Sequence, residues 1–251
     1  MSAAVALGQR SLREVIRTPE ALFPTLFIPI FFLVVNTGQA AKIFPSDSTG
    51  FLEGQGYGAF QLPASLLLAG SFGTAALFLV EEIEGGYFDK LRAIPVPRYS
   101  IVLGRLVAEG AKCVVISTVI VLIALPFGIE IASGPIGFLL LIALSSLWGI
   151  VYAGFMQLIA LKTRSAAATN AGGMIFFPLL FLTPNFVPRD LLTEPMEVAA
   201  TLNPVTYLME ALRSLILEDL EWGTILPGFA VVAACGVVML ALTVLMIQHY
   251  D

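Results

Sequence analysis

Six long apolar runs decide what this chain can fold into. They lie at 22–40, 62–80, 101–127, 136–161, 166–183 and 225–247. At about 1.5 Å of helix rise per residue, each can cross a hydrocarbon core about 30 Å thick. Five contain no Asp, Glu, Lys or Arg; the exception, 101–127, carries Arg105, Glu109 and Lys112 at helical spacing near one end. Backbone polar groups in lipid must pair within their own segment, which selects helices. The chain is 58% hydrophobic and 12% charged, whereas charged residues make up roughly a quarter of a soluble domain. The expected fold is therefore an all-α polytopic membrane protein, one transmembrane domain over 1–251 with six transmembrane helices.

Orientation follows from Lys and Arg, not from the formal net charge of −5. With six crossings, Arg10, Arg13, Arg17, Lys90, Arg92, Arg98, Arg105, Lys162 and Arg164 fall on one side and Lys42, Arg189 and Arg213 on the other. Both termini are then cytoplasmic, in a multi-pass protein of the cell membrane. The acidic balance, set by Glu194, Glu197, Glu218, Asp219 and Glu221 among others, argues against a nucleic-acid partner. No cleavable signal peptide is expected, because three Arg precede the first apolar run. Instead Val5, Leu12 and Ile16 share one side of a helical wheel and Arg10, Arg13 and Arg17 another. That pattern fits an interfacial helix over 1–20, or a plain basic cap on the first crossing.

The charged block between the second and third runs has its own organisation. Gly85-Gly86 frees the backbone, Tyr87 to Ile94 allows about two helical turns, and Pro95 and Pro97 stop continuation. Phe88, Leu91 and Ile94 share a face, flanked by Lys90 and Arg92. So short a helix needs a partner surface, because its nucleation cost exceeds what its few hydrogen bonds return.

The run from Glu82 through Gly85, Leu91-Arg92 and Pro95-Val96-Pro97 to Leu103-Gly104-Arg105 resembles the loop after the second span in membrane subunits of type-2 ABC exporters, especially the daunorubicin-resistance branch. It differs from many relatives in its second glycine, Gly86. The resemblance implies that 81–100 is a cytoplasmic coupling loop whose short helix rests in a groove of a separate ATPase subunit. It places Glu82, Tyr87, Phe88, Leu91, Arg92 and Ile94 at that coupling. It also implies an elbow helix at the N-terminus.

The outer segment 184–224 is the longest connection. Asn203-Pro204 suits an N-cap followed by the first helical residue, and Val205, Leu208, Leu212 and Leu215 continue at helical spacing. A helix of about 12 residues is too short to cross, so a re-entrant segment is expected, with Glu210 and Arg213 paired at i, i+3. Leu202-Asn203-Pro204, Tyr207 and Glu210-Ala211-Leu212-Arg213 resemble the same family's pattern between its last two spans. Small residues over 165–173, and Gly70, Gly73 and Thr74 in the second run, permit close helix approach.

Several function classes are excluded or weakened. There is no Gly-Lys pair and hence no phosphate-binding G-x-x-x-x-G-K-[ST] loop, so no cofactor is expected in this chain. ATP and magnesium belong on the partner ATPase. One histidine, His249, cannot build a multi-histidine metal site, and Cys113 and Cys235 read as apolar core residues on different helices. Glu109 and Lys112 read as an ion-pair anchor or as snorkelling groups, rather than as the proton relay of a secondary transporter. An intramembrane enzyme lacks its nucleophile and base.

The reading that remains is a permease subunit without its own ATPase site. By the resemblance, it works with a cytoplasmic ATPase and a second permease chain, identical or related, among membrane lipids. Apolar runs with isolated Asn36, Thr74 and Asn170, together with Phe176, suit an amphiphilic or hydrophobic cargo such as a drug or lipid. Polysaccharide or glycolipid export, or a non-ABC secondary transporter, are the alternatives.

Overall fold

The computed structural model describes residues 8–11, 13, 19–72, 74–93, 97 and 99–248. Within them the chain is helical and has no strand. The helices are α1 (Pro19–Ala40), α2 (Tyr57–Gly70), α3 (Thr74–Glu84), α4 (Tyr87–Ala93), α5 (Tyr99–Ala124), α6 (Gly134–Thr163), α7 (Ala166–Gly173), α8 (Phe176–Phe181), α9 (Glu194–Leu202), α10 (Pro204–Leu217) and α11 (Trp222–Gln248).

Four stretches are long and apolar enough to cross a membrane: Leu22–Ala40, Tyr99–Phe127, Gly134–Thr163 and Trp222–Gln248. The other two expected crossings differ from the expectation of continuous helices. The run 62–80 is divided between α2 and α3 at Ser71 and Phe72, and 166–183 between α7 and α8 at Met174 and Ile175. Local chemistry accounts for the second break. Gly172 and Gly173 weaken the helix end, and the Pro178 ring clashes with the carbonyl four residues back, at Met174. At the first break Gly70 ends α2, and the freed backbone groups find side-chain partners.

α6 is the hub of the bundle, packing on α2, α3, α5, α7, α10 and α11. It opens behind Pro135 and ends at Arg164, whose backbone turns left-handed at φ 51°. Ser165 then caps α7, accepting the Ala168 N–H at 3.4 Å. α2 lies between α1, α5, α6 and α10, and all its residues are buried, which explains why its sequence is apolar all round. Gly149 makes the three-helix approach possible: a Cβ there would stand 2.3 Å from Cys113 Sγ and 3.6 Å from the Gly70 carbonyl oxygen.

Residues 8–11 and 13 are helical. Gly8 packs where a Cβ would meet the Gly104 carbonyl oxygen of α5 at 3.2 Å. Val5, Leu12, Ile16 and Arg17 of the expected 1–20 helix lie outside the described residues, as do Gly73, Ile94, Pro95, Arg98 and His249. Cys113 is buried and Cys235 half-buried, and both are free thiols.

Candidate functional site

The two breaks meet at one cavity. A space of about 280 Å³ is lined by Pro24 and Thr25 of α1, Leu68, Ser71, Phe72, Thr74 and Leu77 around the first break, Asn170, Gly173, Met174, Phe176 and Phe177 around the second, and Met156 of α6. A smaller space of about 50 Å³ shares Leu68 and Phe177 with it and reaches Asn36, Ser65 and Asn185. Thr74, Asn170 and Phe176 thus line the larger cavity and Asn36 the smaller. Asn170 is exposed. Phe176 is buried and packs on the rings of Trp148 and Tyr152, with centroids 5.9 and 5.7 Å away.

Side chains of neighbouring helices hold the first break. Trp148 Nε1 donates to the Leu67 carbonyl at 3.2 Å and to Ser71 Oγ at 2.9 Å, while Ser71 Oγ donates to the same carbonyl at 2.8 Å. Lys112 Nζ donates to the Phe72 carbonyl at 2.9 Å and to Thr74 Oγ1 at 3.2 Å. Thr74 Oγ1 in turn donates to Glu109 Oε2 at 3.4 Å. Lys112 and Glu109 form an ion pair with side chains 2% and 0% exposed. Of the two sequence readings, the pair is correct and snorkelling is not. An uncompensated charge there would be severely penalised, so the pair and its hydrogen bonds stand or fall together.

A second charged knot ties the far end of α3. Glu82 is buried and accepts from Arg105 of α5 and from Arg10 of the N-terminal segment. Arg10 also lies over the Tyr87 ring, 4.5 Å from its centroid. Arg105, Glu109 and Lys112 recur at four and three residues and so form one stripe on α5. That stripe grips α3 at Thr74 and at Glu82, near its two ends.

The residues expected at the ATPase contact separate into two groups. Phe88 and Leu91 are 1% and 4% exposed within this chain's own core. Their apolar face therefore seats α4 on the bundle, which corrects the expectation of a face open to another polypeptide. Glu82, of the same expected set, is buried as well, whereas Tyr87 is exposed, as is the neighbouring Lys90. The helix ends at Ala93, the Arg92 side chain is not described, and Ile94 lies outside the described residues.

The outer segment corrects one further expectation. Glu210 pairs not with Arg213 but with Arg189, whose Nε and Nη2 donate to its two carboxylate oxygens at 2.9 and 2.8 Å. Arg213 instead lies over the Phe60 ring at 3.4 Å and donates through Nη2 to the Pro184 carbonyl at 3.0 Å. The forked guanidinium prefers a bidentate carboxylate, which Arg189 achieves from a separate turn. Asn203 caps α10 as its sequence indicates, accepting the Val205 N–H at 3.0 Å.

Sequence reasoning missed Ser71, Trp148, Tyr152 and Gln61. Tyr152 donates to the Gly173 carbonyl at 2.5 Å, closing the end of α7 beside the cavity. A tryptophan and a tyrosine one helical turn apart in α6 were the available signal, since buried indole and phenol groups seek acceptors. Among the described residues no group of three or more His, Cys, Asp or Glu could hold a metal. The arrangement offers an apolar chamber, a few polar groups and ion-paired contacts along α3, which leads to a short helix with Tyr87 and Lys90 exposed.

A family model described as "ABC-2 type transporter" matches residues 2–217. The daunorubicin resistance ABC transporter permease protein DrrB1 of Streptomyces coeruleorubidus is 24% identical over 207 residues, covering 79% of this chain and 69% of that protein. The probable doxorubicin resistance ABC transporter permease protein DrrC of Mycobacterium tuberculosis is 23% identical over 195 residues, 75% of this chain and 67% of that one.

Proposed function

The chain belongs to the ABC-2 type transporter family, and from that premise we propose that it is the permease subunit of an ATP-driven exporter that moves amphiphilic or hydrophobic compounds, drugs or lipids, out across the cell membrane. The observation that carries this reading is the apolar chamber at two helix breaks. Apolar walls with a few polar groups suit an amphiphile, and non-helical backbone at membrane depth is tolerable where it lines a cavity. The drug-resistance names of the relatives point the same way.

In this reading the chain crosses the membrane six times with both termini cytoplasmic. Four crossings are continuous, and α2–α3 and α7–α8 are broken ones. A second permease chain completes the path, and ATP with magnesium is bound and hydrolysed on a separate ATPase. The exposed side of α4, with Tyr87 and Lys90, meets that ATPase, and by the family resemblance Arg92 and Ile94 belong to the same contact. Phe88 and Leu91 anchor α4 to the bundle, so displacement of α4 carries the end of α3 with it. Glu82 passes the motion to Arg105 and Arg10, and the Thr74–Glu109–Lys112 knot carries it to the chamber wall. α3 and α5, gripped at both places, move as one body.

Reconstituted with its ATPase, the complex hydrolyses ATP several-fold faster when daunorubicin or membrane lipid is added. Tyr87→Glu with Lys90→Glu lowers co-purification of the ATPase without lowering the membrane level, because both side chains are exposed. Leu91→Asp lowers both, because it places a carboxylate in the chain's own core. No response to amphiphiles, with loss of a surface polysaccharide on gene deletion, would overturn the cargo while leaving the permease role.

A further inference from the structure

We propose that the smaller cavity is a polar subsite, in which Asn185 receives one hydrogen-bond donor, a hydroxyl or amine, from an amphiphile whose apolar body occupies the larger cavity. The proposal rests on the export reading and adds to it the feature by which one amphiphile is preferred to another.

Asn185 is 4% exposed, and its Oδ1 is buried without a hydrogen-bond partner. A buried acceptor without a donor is rare and costly in a folded protein. The residue is not free to turn away. Its own carbonyl accepts from Gln61 Nε2 at 2.8 Å, the Pro184 carbonyl from Arg213 Nη2 at 3.0 Å, and the Phe186 carbonyl from the Tyr57 hydroxyl at 2.7 Å. Three successive carbonyls are thus pinned by side chains of α2 and α10, and Asn185 lines the small cavity together with Phe32, Phe181 and Phe186. Asn36 reaches the same network, donating to Gln61 Oε1 at 3.4 Å.

Size matches this division. The smaller space, about 50 Å³, adjoins one of about 280 Å³ through the shared Leu68 and Phe177. A group occupying about the volume of one or two waters fits the first, and an apolar ring or chain fits the second. A ligand hydroxyl would satisfy the orphan acceptor, whereas the corresponding methyl ether has no proton to donate and would leave it unpaired. Sites built around a buried polar group discriminate strongly against analogues that lack the complement.

The test uses 4-nonylphenol and its methyl ether, 4-nonylanisole, on the permease–ATPase complex in lipid nanodiscs. Displacement of daunorubicin is read by its fluorescence anisotropy, and ATP hydrolysis is followed in parallel. On the wild type the phenol half-displaces at about one tenth of the concentration that the anisole needs. In Asn185→Leu the two come within about twofold of each other. Partition into the bilayer is common to both proteins and cancels in that comparison. A phenol-to-anisole potency ratio that is the same in the wild type and in Asn185→Leu overturns the proposal. If daunorubicin binds and hydrolysis responds while the two compounds are equal, the subsite alone falls. If neither compound displaces daunorubicin or changes hydrolysis, the amphiphile cargo falls with it, while the permease role stands.

Discussion

The two helix breaks are built to opposite specifications. The α2–α3 break is crowded and charged: all of α2 is buried, and Trp148, Ser71 and Lys112 serve its carbonyls, with Glu109 neutralising Lys112. The α7–α8 break is sparse. A single phenol, Tyr152, serves the Gly173 carbonyl, and Met174, Ile175 and Phe181 are exposed. Regions with few buried contacts and few tertiary hydrogen bonds open at low free energy. One chamber thus has a braced wall and a compliant wall, and a helix break by itself does not imply mobility. What decides is how many neighbours claim the freed backbone groups.

The comparison breaks most visibly at Lys112. Lys112→Met leaves Glu109 buried without its partner and costs about 3–5 kcal/mol, read as loss of most of the protein from the membrane. Adding Glu109→Leu restores most of it, because an apolar pair needs no compensation. Failure of the double variant to recover would mean that the Phe72 carbonyl, not the charge, is the critical partner.

Glycines at the two ends sharpen the contrast at a smaller scale. A Cβ at Gly70 would stand 3.1 Å from Trp148 Cδ1 and 3.4 Å from the Gly149 backbone nitrogen. Gly70→Ala should therefore cost about 1–3 kcal/mol by overpacking. At Gly173 the neighbour at 3.0 Å is Met156 Cε, the end of a flexible thioether. Gly173→Ala should cost less than about 1 kcal/mol, offset by helix propensity. Thermal denaturation in detergent ranks the two, and equal losses would remove the distinction between the walls. Tyr152→Phe should fall between the two glycine changes, at about 1 kcal/mol for one hydrogen bond, with faster amide exchange confined to the α7–α8 junction.

Much of this architecture was legible in the sequence, and the failures have physical causes. Long apolar runs, three of them without a charge, marked the four long helices, since their length and lipid's demand for paired backbone leave little choice. The i, i+3 spacing of Glu109 and Lys112 exposed their pairing, because it is local. The breaks escaped notice because hydropathy is the same on either side of Ser71 or of Met174. Gly70, Gly172 and Gly173 read equally well as packing residues. For Phe88 and Leu91 the apolar face was correctly seen, but periodicity says that a face is covered, never by which chain. Glu210 was assigned to its nearest cation, yet Arg189, 21 residues away, offers the better two-pronged geometry. Non-local pairing of this kind leaves no periodic trace.

The complete burial of α2 also sets an order of events during biosynthesis. α2 is finished at Gly70, but α6 ends only at Thr163 and α10 only at Leu217. At about 5–20 residues per second of synthesis, its last wall arrives on the order of ten seconds later. Until residue 185 is added, Gln61 has Tyr57 nearby, 2.9 Å away in the finished fold, but lacks the Asn185 carbonyl. The most enclosed helix is thus an early element closed by late ones, a high-contact-order assembly whose slow step comes near the end of translation. Before that step α2 lacks the α10 wall against which it packs in the finished fold, so only when synthesis has passed Leu217 can its enclosure be complete.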